Sequence, residues 1–298
     1  MLHTGRIIEL RKKTCLVDTD RGVFDAAFRG TLAKRERPLA GDVVDIQESG
    51  GGGEAAYAVI GLHPRTSQLR RPAIANVNQL LCIFSFCDPP LDCGAVDRCL
   101  VSAEANDLRC AIVFNKTDLL DDEERAAQAE TVGIYERIGY PVLVTSAATG
   151  ENMDALLSRC AGRLTCLAGP SGAGKTSILA ALFPGRQFRT AEISPGSGRG
   201  THTTTGTTLI TLPGGGYIAD TPGFSVLDMP ELTDEGVTEC FPELAAHTGG
   251  CRFNNCAHVN EPGCTVRAMV DNGEIAASRY ESYLRARDEV RAANRNFG

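Results

Sequence analysis

The sequence predicts a multidomain chain: an N-terminal β-barrel, a central doubly wound α/β core, and a mainly helical C-terminal domain built around a Cys/His cluster. Three observations predict it. Short alternating segments fill residues 1–62, buried-strand and helix patterns alternate from about residue 75 to 220, and three cysteines crowd around His258. The length, 298 residues, exceeds one average domain, and 43% apolar residues suffice for ordinary cores, which excludes wholesale disorder. The expected domain boundaries are 1–66, 67–229 and 230–298.

The barrel comes first. Gly5–Leu10, Thr14–Thr19 and Val23–Phe28 alternate as strands do, turn residues separate them, and Gly41–Ile46 resumes the pattern. Ser49–Glu54 is a glycine-rich loop, after which Ala56–Leu62 supplies a last strand. Five short strands at this spacing match the small barrel that binds oligonucleotides, the OB type. Charge agrees with that placement. The chain carries a net −7, yet residues 1–71 hold 12 Lys and Arg against 9 Asp and Glu. An acidic protein meets nucleic acid through a local patch, and the basic excess lies in this third.

Beyond residue 75 the elements alternate β and α. Gln79–Phe86 is a continuous apolar run, as a buried parallel strand requires. Val96–Glu104, Glu123–Ile138 and Met153–Cys160 read as helices, and Cys110–Phe114 and Val142–Val144 as strands. Arg163–Ala168 is a strand that enters a glycine-rich turn, and Thr207–Leu212 and Tyr217–Asp220 are adjacent strands. From about residue 230, acidic helical segments lead to the cysteine cluster and to a terminal helix over 275–291. No run approaches the roughly 20 apolar residues of a membrane helix, and Met1–Ile8 lacks the apolar block of a secretory signal. A cytoplasmic protein is therefore expected. Its scattered cysteines (Cys15, Cys82, Cys87, Cys93, Cys99, Cys110, Cys160, Cys166) are expected as small buried hydrophobes rather than disulfides.

Four motifs carry chemistry. Gly169-Pro170-Ser171-Gly172-Ala173-Gly174-Lys175-Thr176 matches G-x-x-x-x-G-K-[ST] between a buried strand and a helix, with Ser177 following. Such a loop turns consecutive N–H groups onto phosphate oxygens at a helix N-terminus. Lys175 is expected on the β- and γ-phosphates, and the Thr176 hydroxyl on Mg²⁺. Asn115-Lys116-Thr117-Asp118 ends another strand at the sheet's carboxyl edge. A carboxylate there accepts from guanine N1–H and the 2-amino group, donors that adenine lacks. Asn115 orients the loop, the Lys116 stem covers the base, and Thr145-Ser146-Ala147 offers a backbone N–H to guanine O6. Asp220-Thr221-Pro222-Gly223 follows a strand, so that Asp220 reaches Mg²⁺ through water and the Gly223 N–H senses the γ-phosphate. Last, Cys251, Cys256, His258 and Cys264 form C-x4-C-x-H-x5-C. Three thiolates and one imidazole close a tetrahedral Zn²⁺ shell, a structural site, with Cys240 and His247 as possible substitutes.

Ordinary GTPases run P-loop, D-x-x-G, N-K-x-D; here N-K-x-D and T-S-A precede the P-loop, and D-x-x-G follows it. Circular permutation preserves the site in space while moving the termini. In this order, together with Arg71–Asn78, Gly200–Thr204 and the cysteine cluster, the chain resembles the ribosome small-subunit-dependent GTPase A family over essentially its full length. The resemblance implies a circularly permuted P-loop GTPase acting late in 30S maturation, partnered by the 30S subunit and its 16S rRNA, hydrolysing GTP to GDP and phosphate with ribosomal stimulation, with an oligonucleotide-binding N-terminal barrel; no membrane contact and a monomer are expected. It also implies that His202 orients the attacking water, because Phe224 stands where many GTPases carry glutamine, and that Thr203 or Thr204 closes on Mg²⁺. Arg199 is a candidate for transition-state charge or for RNA. The family carries Arg, Lys or Gln before the histidine, whereas this chain has Thr201. Two other functions fit the motifs: a nucleotide-gated RNA-binding module with negligible turnover, and a P-loop ATPase in which Asn115–Asp118 is coincidental.

Overall fold

The computed structural model describes residues 1–29, 37–49, 55–188, 207–221, 224 and 232–295. In chain order the strands are β1 (Leu2–Leu10), β2 (Thr14–Thr19), β3 (Gly22–Phe28), β4 (Val43–Glu48), β5 (Tyr57–Leu62), β6 (Gln68–Leu69), β7 (Ile74–Ala75), β8 (Gln79–Ser85), β9 (Arg109–Asn115), β10 (Val142–Val144), β11 (Leu164–Ala168), β12 (Thr208–Thr211) and β13 (Tyr217–Asp220). The α-helices are α1 (Cys93–Glu104), α2 (Asp122–Ile138), α3 (Met153–Cys160), α4 (Lys175–Leu182), α5 (Asp234–Glu239), α6 (Pro242–Ala245), α7 (Thr265–Asp271) and α8 (Ala277–Arg295). They fall into two compact units, one spanning Met1–Gln79, Asp154–Leu167 and Leu182–Phe224, the other Leu80–Met153, Ala168–Ala181 and Ser225–Gly298.

In the first unit, strands β1, β2, β3, β5 and β4 close on themselves through β1–β4, the expected five-stranded barrel. Alternation sends Ile7, Cys15, Val17, Ala26, Val44, Ile46 and Val59 into its core. Each buried Val or Ile among them stabilises by about 1.5–3 kcal/mol at most. A register shift between Ile7 and Glu9 bends β1. Before the shift its free edge pairs with β4; after it Glu9 pairs with Thr208 of β12. The Asp18 carboxylate strengthens this join by accepting from Thr211 Oγ1 and Tyr217 OH, both at 3.0 Å. β11 runs parallel to β13, which is antiparallel to β12. One short pair, β6–β7, has no counterpart in the sequence expectation, because two-residue strands carry no periodicity.

The second unit holds the strand order β10-β9-β8, β10 parallel to β9, and every residue of β8 is buried. Helix starts depart from expectation for a local reason. Asp92 accepts from Gly94 N at 2.9 Å, so α1 begins three residues before its apolar pattern. Asp121 and Glu124 form a reciprocal capping box, which starts α2 at Asp122. Helices α5–α8 pack around Val237, Phe241, Leu244, Val266 and Tyr283, with Val101 of α1 in the same cluster. Arg279 of α8 is 1% exposed among them. Its Nη1 meets Asp97 Oδ1 of α1 at 2.6 Å, its Nε meets Glu243 Oε1 of α6 at 2.7 Å, and its guanidinium lies 4.6 Å from the Phe241 ring centroid. Cys87, Cys93 and Cys110 are half-buried, not core residues as expected, because they occupy a loop, a helix start and the second residue of β9, before its buried stretch. Among the described residues no helix is long and apolar enough to cross a membrane.

Candidate functional site

The P-loop motif lies between β11 and α4, in the second unit from Ala168 onward. Gly169 adopts φ +139°, and a Cβ there would fall 1.9 Å from the Ile83 carbonyl oxygen, so only glycine lets the chain turn away past β8. Lys175 opens α4, and its Nζ donates to the Gly169 and Pro170 carbonyls at 2.6 and 2.9 Å. Burial lowers the Lys175 pKa; an ammonium in such surroundings is matched to an anion that restores its lost hydration. Ser171, Gly172 and Ser177 are exposed, Ala173 is buried, and Thr176 is half-buried at the helix N-terminus.

The second loop leaves β9. Lys116 has a left-handed φ of 67°, which turns the chain sharply after buried Asn115. Asn115 is the hub of the arrangement. Its Nδ2 donates to the Ala173 carbonyl of the P-loop at 3.1 Å, while its Oδ1 accepts from Ala147 N at 3.1 Å and Thr145 Oγ1 at 3.3 Å. Gly174, at φ +93°, makes room for it, since a Cβ there would lie 2.2 Å from Asn115 Nδ2. The Ser146 hydroxyl donates to Asp118 Oδ1 at 2.5 Å. Asn115, Lys116, Asp118, Thr145, Ser146, Ala147 and the P-loop are thus brought into one neighbourhood by residues far apart in sequence.

Asp220 ends β13 in the first unit and is half-buried. Burial raises its pKa, opposed by Arg186, so its charge is incompletely compensated by its own neighbours. His202, Thr203, Thr204 and Gly223 lie outside the described residues, as do Arg199 and Thr201.

The cysteine cluster gathers as its spacing requires. One ligand atom from each of Cys251, Cys256, His258 and Cys264 lies within 4.8 Å of the others. His258 Nδ1 stands 3.6 Å from Cys251 Sγ and 3.4 Å from Cys264 Sγ. Tetrahedral zinc with ordinary bond lengths separates sulfur from nitrogen by about 3.5 Å, so the donor set fits such an ion. The backbone that carries these ligands is pinned. The Glu261 carboxylate accepts from Ala257 N, Val259 N and Asn260 N at 3.1, 2.8 and 3.0 Å. Tyr280 OH donates to the His258 carbonyl at 2.6 Å, and Tyr283 OH to the Ala257 carbonyl at 2.8 Å. Cys240 is buried beside Val237 and Phe241 instead, and neither it nor His247 joins the group among the described residues.

Residues 62–230 match the RsgA GTPase family. The small ribosomal subunit biogenesis GTPase RsgA of Moorella thermoacetica is 44% identical over 94% of this chain and 95% of its own length. The chain belongs to the RsgA GTPase family. A second RsgA, from Shouchella clausii, is 37% identical over 98% of this chain and 99% of its own. Among solved structures, YjeQ from Thermotoga maritima superposes with a TM-score of 0.84 at 31% identity, covering 97% of this chain and 99% of that one. YloQ, described as a circularly permuted GTPase, gives 0.82 at 29% identity over 98% and 96%. The permuted motif order of this RsgA-family chain agrees with that description.

Sequence reasoning missed Asp88. The loop after β8 brings its carboxylate to Lys116 Nζ at 2.9 Å and its carbonyl to the same atom at 2.7 Å. The available signal was positional: Asp88-Pro89-Pro90 is turn chemistry directly behind a buried parallel strand, at the edge where α/β sheets bind ligands.

Proposed function

We propose that this chain binds the small ribosomal subunit and hydrolyses GTP to GDP and phosphate during late small-subunit maturation. The observation that carries the reading is the bond from Asn115 to Ala173, which ties a guanine-type loop to a phosphate-type loop in one unit. A base and its phosphates are joined covalently, so the two loops serve one nucleotide only if they adjoin.

In this reading Asp118 pairs with the guanine N1–H and 2-amino group, the stem of Lys116 covers the ring, and the Thr145-Ser146-Ala147 loop lies at the O6 edge of the base. Residues 169–177 cradle the phosphates, and Lys175 stabilises the charge that builds between the β- and γ-phosphates as the bond breaks. His202, as a neutral imidazole, accepts a proton interaction from the water that attacks the γ-phosphorus. Thr176 and one of Thr203 or Thr204 would hold Mg²⁺, with Asp220 reaching it through water; the metal supplies further charge neutralisation. The Cys251–Cys256–His258–Cys264 shell holds one structural Zn²⁺. The barrel over 1–66 contacts 16S rRNA, residues 67–229 form the permuted GTPase domain, and 230–298 the zinc domain of a cytoplasmic monomer.

The test is phosphate release from GTP and from ATP, with and without purified 30S subunits. The proposal expects turnover of GTP alone and a rise in its rate with 30S. Equal turnover of ATP would favour the ATPase reading, and tight GTP binding without turnover on 30S would favour a nucleotide-gated binding module.

A further inference from the structure

The loop between β8 and α1 belongs to neither nucleotide motif, yet it touches both. Buried Ser85 accepts from Cys87 N and Asp88 N at 3.3 and 3.2 Å, and Cys87 bridges to Pro90, so the turn is held from below. On one side, a Cβ on Gly172 of the P-loop would lie 3.3 Å from Pro89 Cδ. On the other, Lys116 Nζ is gripped by the Asp88 carbonyl at 2.7 Å and by its Oδ2 at 2.9 Å. The Lys116 side chain is only 23% exposed, whereas the Asp88 side chain is 77% exposed.

We infer that Asp88 is a positioning residue for nucleotide retention: its carboxylate holds the Lys116 side chain extended across the base-binding loop, and nucleotide leaves when that clasp opens. The inference rests on reading 115–118 and 169–176 as one guanine-nucleotide site. A lysine stem is flexible and carries a large rotamer entropy. Held at its tip, it presents a fixed apolar face to a purine; released, it covers the base only part of the time. The Asp88 carboxylate pairs with Lys116 of the base-binding loop, so it acts on residence of the nucleotide more than on the bond-breaking step. Its exposure makes the clasp sensitive to salt, because ions screen an exposed pair.

The experiment uses the full-length protein, with Asp88→Asn and Asp88→Glu, and a fluorescent N-methylanthraniloyl derivative of GDP displaced by excess GDP. Asp88→Asn is expected to speed release about 1.5- to fivefold, the range open to an exposed ion pair, and to raise KM for GTP more than it changes kcat. Raising salt from about 0.05 to 0.5 M should bring the wild-type release rate towards that of Asp88→Asn while leaving the variant nearly flat. Asp88→Glu should restore part of the retention. In a Lys116→Met background Asp88→Asn should add nothing, which separates the clasp from mere loosening of the loop. Unchanged release and an unchanged salt slope in Asp88→Asn, or an equal effect in the Lys116→Met background, would overturn the inference. A wild-type protein that takes up no guanine nucleotide at all would overturn the site reading itself, and this inference with it.

Discussion

At the scale of single residues, His202 and Asp88 mark the two limits of what the sequence discloses. The motif residues 115–118 and 169–176 are legible because each set is contiguous and keeps a fixed pattern of residue types: glycines for close approach, an asparagine for a loop hub, a lysine at a helix start. His202 was legible only by resemblance. Substituting His202→Ala is expected to leave GTP affinity close to normal and to slow turnover by roughly 10²–10⁴-fold, the usual worth of a positioned acid–base group; binding and single-turnover rates measured together check this. Lost affinity with an intact rate per complex would remove the catalytic role. Glu261 was not legible, since three backbone N–H groups had to be folded around it before its role existed. Burial acts to raise its pKa, but those N–H groups prevail and bring it down to about 2 from an ordinary 4.5. A depressed carboxyl contributes stability above its unfolded pKa and loses it as pH falls through the folded one. Glu261→Gln should therefore lower the melting temperature at pH 7, and the gap from wild type should shrink as pH falls from 4.5 towards 2.

At the scale of elements, alternation and apolar runs predicted the barrel strands, the buried strands β8 and β9 and the terminal helix, because burial on one face or both leaves a periodic mark. Helix starts moved by one to three residues wherever a cap, Asp92 or Asp121, outranked the apolar period. The packing of α1 against α6 and α8 left no such mark. It turns on Arg279, whose partners Asp97 and Glu243 stand 182 and 36 residues away. Removing one member of a buried ionic group leaves the others desolvated and unpaired, at a cost of about 3–5 kcal/mol. Arg279→Met is accordingly expected to lower the unfolding free energy from denaturant titration by that amount, and adding Asp97→Asn should recover part of it. A change within about 0.5 kcal/mol, typical of surface substitutions, would mean that the cluster contributes little.

At the scale of the whole molecule, the permuted order leaves Asp220 at the end of β13, with the zinc-type cluster following it in the chain. Metal analysis of the purified protein should give about one zinc per chain, because four protein ligands close the shell; a fully folded, metal-free protein would contradict this. The central claim is that the loops at Asn115–Asp118 and Gly169–Thr176 hold the two ends of one guanosine triphosphate. Equilibrium competition among GTP, XTP and ATP on wild type and Asp118→Asn tests it most directly. The claim predicts that Asp118→Asn exchanges a preference for GTP for one for XTP, a swing of roughly 10⁴-fold for a buried hydrogen-bonding site. An Asp118→Asn protein that still prefers GTP as strongly as the wild type would contradict it.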